Sequence, residues 1–281
     1  MGRPTIQCPC DRRFDELVFK YDSPPAGETR FELGGQVYCR AYFRCGLCGH
    51  WYSDHQMDLT NLYSGAYVKS TYGDRMRQTF ERILALPKEK SDNAGRVARI
   101  LSFARSFFPH GEKPRLLDVG SGLGVFLYRM KEAGWSCTAL DPDPRAGDHA
   151  RDVVGVEAIV GDFMSIGHDR LGMFDVITFN KVLEHVENPV AMLSKASRYL
   201  NPNGCVYIEV PDGEAAAVEG PDREEFFIEH HHVFSPSSLA MTAFRAGFRV
   251  ESLERLREPS TKYTIRAFLT LMRGKGISLS A

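Results

Sequence analysis

From residue 115 onward, apolar residues fall in short unbroken runs, separated by stretches whose apolar positions recur every three or four residues. The runs are RLLDVG (115–120), CTALD (137–141), AIVGD (158–162), FDVITFN (174–180) and CVYIEVPD (205–212). A strand that is apolar throughout must be covered on both faces, which is the pattern of a parallel sheet. The intervening stretches, GVFLYRMKEAG, DPRAGDHARDVV and NPVAMLSKASRYL, carry helical spacing. Strands alternating in this way with helices predict an α/β fold: a doubly wound, mostly parallel, Rossmann-like sheet. Two later apolar segments, around 248–256 and 262–271, are expected to supply the last strands, with room for one of them to run antiparallel.

Upstream of residue 115 the pattern differs. DRMRQTFERILALP has helical spacing at Met76, Phe80, Ile83 and Leu84 before Pro87 ends it. SDNAGRVARILSFARSFF predicts a second helix, capped by Ser91 or Asp92, with Val97, Ile100, Leu101, Phe103 and Ala104 as its apolar stripe. FELGGQVYCRAYFRC reads as a hairpin of two aromatic-rich strands around Gly34–Gly35. These changes divide the chain into a small cysteine-rich β module (1–60), a helical connector (61–91) and the α/β domain (92–281). There is no internal repeat and no low-complexity segment.

Composition narrows the function. The 281 residues carry 35 Lys and Arg against 36 Asp and Glu, a net charge of −1, so no basic excess argues for nucleic acid as a partner. The start, MGRPTIQCPC, lacks the apolar core of a signal peptide, and no run of about 18 uncharged residues could span a bilayer. A cytoplasmic protein without a membrane partner is expected, and its thiols would stay reduced. The oligomeric state is open.

Seven cysteines then need a role other than disulfides. Cys8, Cys10, Cys39, Cys45 and Cys48 cluster near the start, whereas Cys137 and Cys205 sit in strand-like runs. RCGLCGH (44–50) contains a C-x-x-C-G turn, a spacing that lets two thiolates grip one tetrahedral metal. Cys8 and Cys10 supply the partner pair, one residue tighter than the usual knuckle. The module resembles a zinc ribbon, with Cys8, Cys10, Cys45 and Cys48 as ligands and Cys39, His50 or His55 as possible substitutes. Such a zinc would be structural, holding together a module too small to form its own core.

The first strand of the α/β domain ends in DVGSGLG (118–124). Its glycines, Gly120, Gly122 and Gly124, follow G-x-G-x-G and not the G-x-G-x-x-G of dinucleotide binders. Asp118, two residues ahead of them, is a poor host for a pyrophosphate and a good one for an amino group. Asp141 ends the second strand, where an acid accepts hydrogen bonds from ribose hydroxyls. Asp162 ends the third, placed for an adenine amino group, with Phe163 beside it for the ring.

LLDVGSGLGVFL, ALDPD, GDF, FDVITFNKVLEHVENPVAML and NPNGCVYIEVPD together resemble the class I S-adenosylmethionine-dependent methyltransferases, in the branch that modifies small molecules. The resemblance spans roughly residues 92–260. It implies that Asp118 and Gly120 hold the methionine part of the cofactor and that Gly122 and Gly124 shape the turn. Asp141 would take the ribose, Asp162 and Phe163 the adenine, and Asn180 would face the sulfonium side. The amino-terminal module resembles, more loosely, the zinc-binding segment that precedes this domain in some sugar-modifying relatives.

The sulfonium is already electrophilic, so the protein mainly aligns the acceptor and excludes water; a hydroxyl acceptor also gains from a base or a metal. Relatives that carry a divalent metal do so on E-x-x-E-H. This chain has Glu184 and His185, but Lys181 in place of the first acid argues against metal. The run EFFIEHHHVFSPSSL (225–239) offers the base instead. The resemblance implies that His230 faces the pocket, as the corresponding histidine does in relatives; in extended chain side chains alternate, so His232 would share that face while His231 serves the fold. Ser235 would cap a helix with Leu239, Ala243, Phe244 and Phe248 on its apolar side. Tyr63, Tyr67 and Tyr72 are further candidates to close over substrate.

The expected activity is methyl transfer to a small polar metabolite, first of all a hydroxyl of a sugar or sugar nucleotide. Carbon or nitrogen acceptors, a macromolecular substrate docked through the zinc module, and a non-catalytic cofactor-binding protein are the alternatives.

Overall fold

Apolar runs this continuous must be buried on both sides, and a computed structural model shows what covers them. It describes residues 8–11, 15–29, 35–57, 75–108 and 113–272. The strands are β1 (Asp15–Tyr21), β2 (Arg40–Cys45), β3 (Trp51–His55), β4 (Arg115–Val119), β5 (Ser136–Asp141), β6 (Glu157–Val160), β7 (Phe174–Asn180), β8 (Leu200–Pro211), β9 (His232–Val233), β10 (Phe248–Arg257) and β11 (Tyr263–Leu271). The helices are α1 (Met76–Leu84), α2 (Asp92–Phe107), α3 (Val125–Glu132), α4 (Pro144–His149), α5 (His168–Leu171), α6 (Pro189–Ala196), α7 (Gly213–Ala217) and α8 (Pro236–Arg245).

Seven strands form one sheet in the order β10-β11-β8-β7-β4-β5-β6. The five from β4 to β8 run parallel to one another, whereas β11 runs antiparallel to both β8 and β10. Successive residues of a strand face opposite ways. Leu117, Ile177, Val206 and Ile208 therefore enter one core, and Leu116, Val176, Cys205 and Tyr207 the other. The second core is closed by Ile100 of α2, Phe126 of α3 and Phe80 of α1.

The helix signals in the sequence are realised at the caps. Ser91 Oγ accepts a hydrogen bond from Ala94 N and opens α2. Ser235 and Ser238 form a reciprocal capping box on α8, with Pro236 in its first turn. One expectation fails there. Leu239, Ala243 and Phe248 are buried, but Phe244 is 67% exposed. The buried stripe of α8 runs through Ser238, Leu239, Thr242 and Ala243, and Phe244 lies about 100° further round the helix.

A buried charge network ties the sheet to α2. Glu209 of β8, fully buried, bonds the Arg96 guanidinium from α2 and pairs with Arg266 Nε of β11 at 2.8 Å. Burial alone would raise the pKa of this carboxylate; the two guanidiniums override it and hold the group down at about 2. Glu209→Ala would leave two cations without their shared partner, and should cost about 3–5 kcal/mol in denaturant unfolding.

The second sheet has the order β1-β2-β3-β9, antiparallel throughout. Residues 31–34, the expected first arm of a hairpin, lie outside the described residues, as do Tyr63, Tyr67 and Tyr72. Within the described residues β2 pairs with β1 and β3. The fourth strand, β9, comes from the histidine run, with Trp51 opposite Val233 and Tyr52 opposite His232. No helix of the described residues is long and apolar enough to cross a membrane.

Candidate active site

Strand order reverses between β4 and β7, the position at which an open α/β sheet forms a crevice beyond the carboxyl ends of its strands. A cavity of about 920 Å³ opens there. Asp118, Gly120, Gly122, Gly124, Asp141, Asp162, Phe163 and Asn180 all border it, so the structure brings the eight residues singled out in the sequence to one place.

Asp118 sits in β4 and is 3% exposed. Its Oδ1 accepts hydrogen bonds from Thr178 Oγ1 at 2.6 Å and Asn180 Nδ2 at 2.8 Å, both on the neighbouring β7. Burial lifts its pKa to about 6 despite those bonds and the nearby charge of Arg96. Such a carboxylate is set to receive a cationic donor. Gly120 has φ +70°, and a side chain there would meet Val182 Cγ2 at 2.8 Å, so only glycine lets the chain turn here.

Asp141 ends β5. Its two oxygens accept the backbone N–H of Gly122 and of Asp143, each at 2.9 Å, which ties the glycine turn to the second strand. Burial raises its pKa, and those two bonds oppose the rise. Asp162 Oδ1 accepts from Met164 N at 3.0 Å, capping the loop after β6. Phe163 is buried edge-on against Phe179 and borders the cavity from the core.

Several buried acceptors around the cavity have no hydrogen-bond partner among the described residues: Ser121 Oγ, Asn180 Oδ1 and both oxygens of Glu184. Unpaired buried polar atoms are costly, so their clustering at one cavity points to a ligand rich in donors.

A second set of lining residues includes Lys181, Glu184, His185, Glu229 and His230. Glu184 is fully buried, which raises its pKa to about 7 against the opposing charge of Lys181. His230 Nδ1 lies 2.8 Å from the Glu225 carbonyl, and His185 Nδ1 lies 2.9 Å from the Glu229 carbonyl. A carbonyl only accepts, so each ring carries its proton on Nδ1 and a lone pair on Nε2. Burial holds His185 down to about 4 and His230 well below the usual histidine value, so both are neutral near pH 7.

His232 has to be corrected. It does not border the cavity: its Nδ1 lies 2.9 Å from His50 Nε2 and its Nε2 reaches the Glu187 carbonyl at 3.2 Å. Alternation requires extended chain, and residues 224–226 form a 3₁₀ turn followed by a turn closed by His230 N on the Phe227 carbonyl. Only His232 and Val233 of this run form a strand. His230 therefore faces the cavity while His232 faces the amino-terminal module.

The sequence reading weighed Lys181 by its charge and missed its conformation and its partner. Lys181 has φ +60°, an uncommon conformation for a lysine, at the mouth of the cavity. Its Nζ donates to Thr264 Oγ1 at 2.7 Å. Its charge still acts on Glu184, His185 and His230, which bring ligand atoms within 4.8 Å of one another. The sequence carried no local signal for either the backbone strain or the partner, which is 83 residues away.

The cysteines form a separate site. Sγ of Cys8 lies 3.3 Å from those of Cys10 and Cys48, and Cys10 Sγ lies 3.6 Å from Cys45 Sγ. These separations are too long for disulfides and close to the roughly 3.8 Å between thiolates on one tetrahedral zinc. The tight C-x-C spacing thus still places both sulfurs in the cluster. Cys39 is exposed and outside it, and the His50 ring is engaged with Ser238 and His232. His55 is also outside the group.

Comparison with known proteins agrees with this architecture. The family described as a methyltransferase domain, Methyltransf_23, matches residues 75–253. The ubiquinone biosynthesis O-methyltransferase of Xanthomonas axonopodis pv. citri is 29% identical over 153 residues, 50% of this chain and 64% of that protein. The chain thus spans under two thirds of that relative. Among solved structures, magnesium protoporphyrin IX methyltransferase from Synechocystis PCC 6803 with bound SAH aligns with TM-score 0.57 at 13% identity, covering 74% of this chain and all of that one. The Burkholderia thailandensis 1,6-didemethyltoxoflavin-N1-methyltransferase aligns with TM-score 0.57 at 17% identity, covering 83% and 96%. These similarities, with the strand order and the glycine turn after β4, mean that the chain belongs to the methyltransferase-domain family and has its Rossmann-like fold.

Proposed function

We propose that the protein transfers a methyl group from S-adenosylmethionine to a small polar acceptor, with oxygen as the first-choice nucleophile. The observation that carries this reading is Asp118: a buried carboxylate at the glycine turn, its pKa raised to about 6, on a cavity rich in unpaired acceptors. When bound, S-adenosylmethionine supplies the methyl group as part of an electrophilic sulfonium. Asp118 and Asn180 would hold the amino group, Asp141 the ribose hydroxyls, and Asp162 with Phe163 the adenine. Gly120, Gly122 and Gly124 let the backbone come close. His230, with the lone pair on Nε2, would take the acceptor's proton. None of the relatives named above acts on a sugar by its name, so the sugar expectation has no support beyond the resemblance that prompted it.

Calorimetry with S-adenosylmethionine is the first test, and a protein that binds none of it would sink the reading. Asp141→Ala should weaken binding by about 1–3 kcal/mol, because two hydroxyls lose their acceptor; an unchanged Kd removes the ribose role. His230→Ala should lower turnover of an accepted phenol or sugar alcohol by about 10²–10⁴-fold while leaving cofactor affinity alone. Equal loss of both would reduce His230 to loop support.

The three converging donors Glu184, His185 and His230 favour a second reading, in which a divalent cation orients the acceptor. Calorimetric titration with Mg²⁺ should then show binding that Glu184→Gln abolishes; no binding excludes it. At the other site, Cys8, Cys10, Cys45 and Cys48 would hold a structural zinc, measurable by elemental analysis. The proposed division remains 1–60, 61–91 and 92–281, with β9 lent by the last of these to the first.

A further inference from the structure

Residues 225–235 build one wall of the cavity, through Glu225, Phe227, Glu229 and His230. Apart from one 3₁₀ turn and the two residues of β9, this stretch has no regular structure of its own. Its backbone polar groups must find partners elsewhere. Some lie within the α/β domain: His231 N donates to the Glu184 carbonyl and Phe234 N to that of Pro211. Several others lie in the amino-terminal module.

Arg40 Nη1 of β2 donates to the Phe226 carbonyl at 2.7 Å. The Tyr42 hydroxyl, also on β2, lies 2.6 Å from the His230 carbonyl and 3.1 Å from that of Phe227. Glu28 Oε1 accepts from Ile228 N at 2.9 Å. Ser53 N donates to the His231 carbonyl at 3.0 Å, and β3 then pairs with β9. Ser235 Oγ donates to the Cys48 carbonyl at 2.6 Å.

The groups that make these bonds are themselves immobilised. Arg40 and Glu28 form an ion pair whose side chains are both fully buried. The Tyr38 hydroxyl bonds Glu28, and the Tyr21 ring stacks under the guanidinium at 3.8 Å. Such a network has few alternative arrangements, so it fixes whatever it bonds. By contrast, the hydrogen bonds of Asp118, Asp141 and Asp162 all stay inside the α/β domain.

We propose that the amino-terminal module is the template for this wall, and that Tyr42 is a positioning residue that sets His230 through its carbonyl, without contributing to the cofactor side. The inference rests on the reading of residues 225–230 as the acceptor wall.

The test is Tyr42→Phe in the full chain, a change that removes one hydroxyl and keeps the ring among Tyr21, Phe226 and Arg40. Hydrogen exchange at amides 226–233 should speed up by about five- to tenfold, the factor one hydrogen bond contributes. Exchange in β4, β5 and β7 should stay the same, as should the Kd for S-adenosylhomocysteine. Ring-nitrogen NMR of His230 should shift from a single Nδ1–H tautomer to a mixture, as the bond to Glu225 loosens. That signature would not follow from a general loss of stability. Unchanged exchange at 226–233, or uniform acceleration across the chain, would overturn the proposal. Should the wild-type protein fail to bind S-adenosylhomocysteine, the methyltransferase reading falls, while the exchange result still decides the templating.

Discussion

Asp118→Asn should nearly abolish S-adenosylmethionine binding. The residue is buried, bonded to Thr178 and Asn180, and carries a carboxylate with a pKa of about 6 before any ligand arrives. An ammonium group placed against it gives a charge pair shielded from water, and truncating one partner of such a pair costs about 2–5 kcal/mol. Affinity should therefore fall by roughly 30-fold or more, measured by calorimetry at pH 7.5. The pH dependence has a definite sign. The unliganded pKa is raised, so protons compete with the ligand as pH falls through about 6. Binding should be flat above that value and weaken about tenfold per unit below it, the limit for one group. A profile that is flat to pH 5 would place the ammonium elsewhere.

Loss of the zinc proposed for the four-cysteine site should have the second large effect. The sulfurs are within 4.8 Å of one another, and three of the four cysteines are buried. Structural zinc supplies about 10–16 kcal/mol in small zinc-dependent peptides, which is an upper guide for a module with a core as small as this one. Cys45→Ser should lower the zinc content to well below one per chain and expose residues 15–55 to protease. The damage should spread in one direction. Cys48 O holds Ser235, Arg245 Nη1 reaches Pro9 O at 3.1 Å, and β3 holds β9. The wall at 225–235 should loosen with the module, whereas S-adenosylhomocysteine should still bind. Intact zinc content with unaltered proteolysis would mean that the cysteines are only packed thiols.

Much of the fold follows from local pattern. The five parallel strands are short apolar runs, and two-sided burial is written into each of them. Ser91 and Ser235 mark helix starts because a cap is a local hydrogen bond between residues three apart. The residues proposed to hold the cofactor are legible for a related reason: a Gly-rich turn and acids at strand ends occupy positions that the strand pattern itself numbers. The tight C-x-C pair looked geometrically awkward, but its metal geometry depends on where Cys45 and Cys48 are brought.

The histidine run shows where local reading stops. Alternation along extended chain pairs His230 with His232, but a turn at 224–230 breaks the period and β3 recruits His232 into the other sheet. Nothing near residue 230 encodes His50, Tyr42 or Arg40, each more than 180 residues away in sequence. The sequence by itself determined the strands, the caps, the glycine turn and its acids, because each depends on neighbours a few residues apart. Only the tertiary structure decided which histidine faces the cavity, that Lys181 bonds Thr264, and that the cysteine module holds the wall, because those depend on contacts between segments the chain pattern does not join.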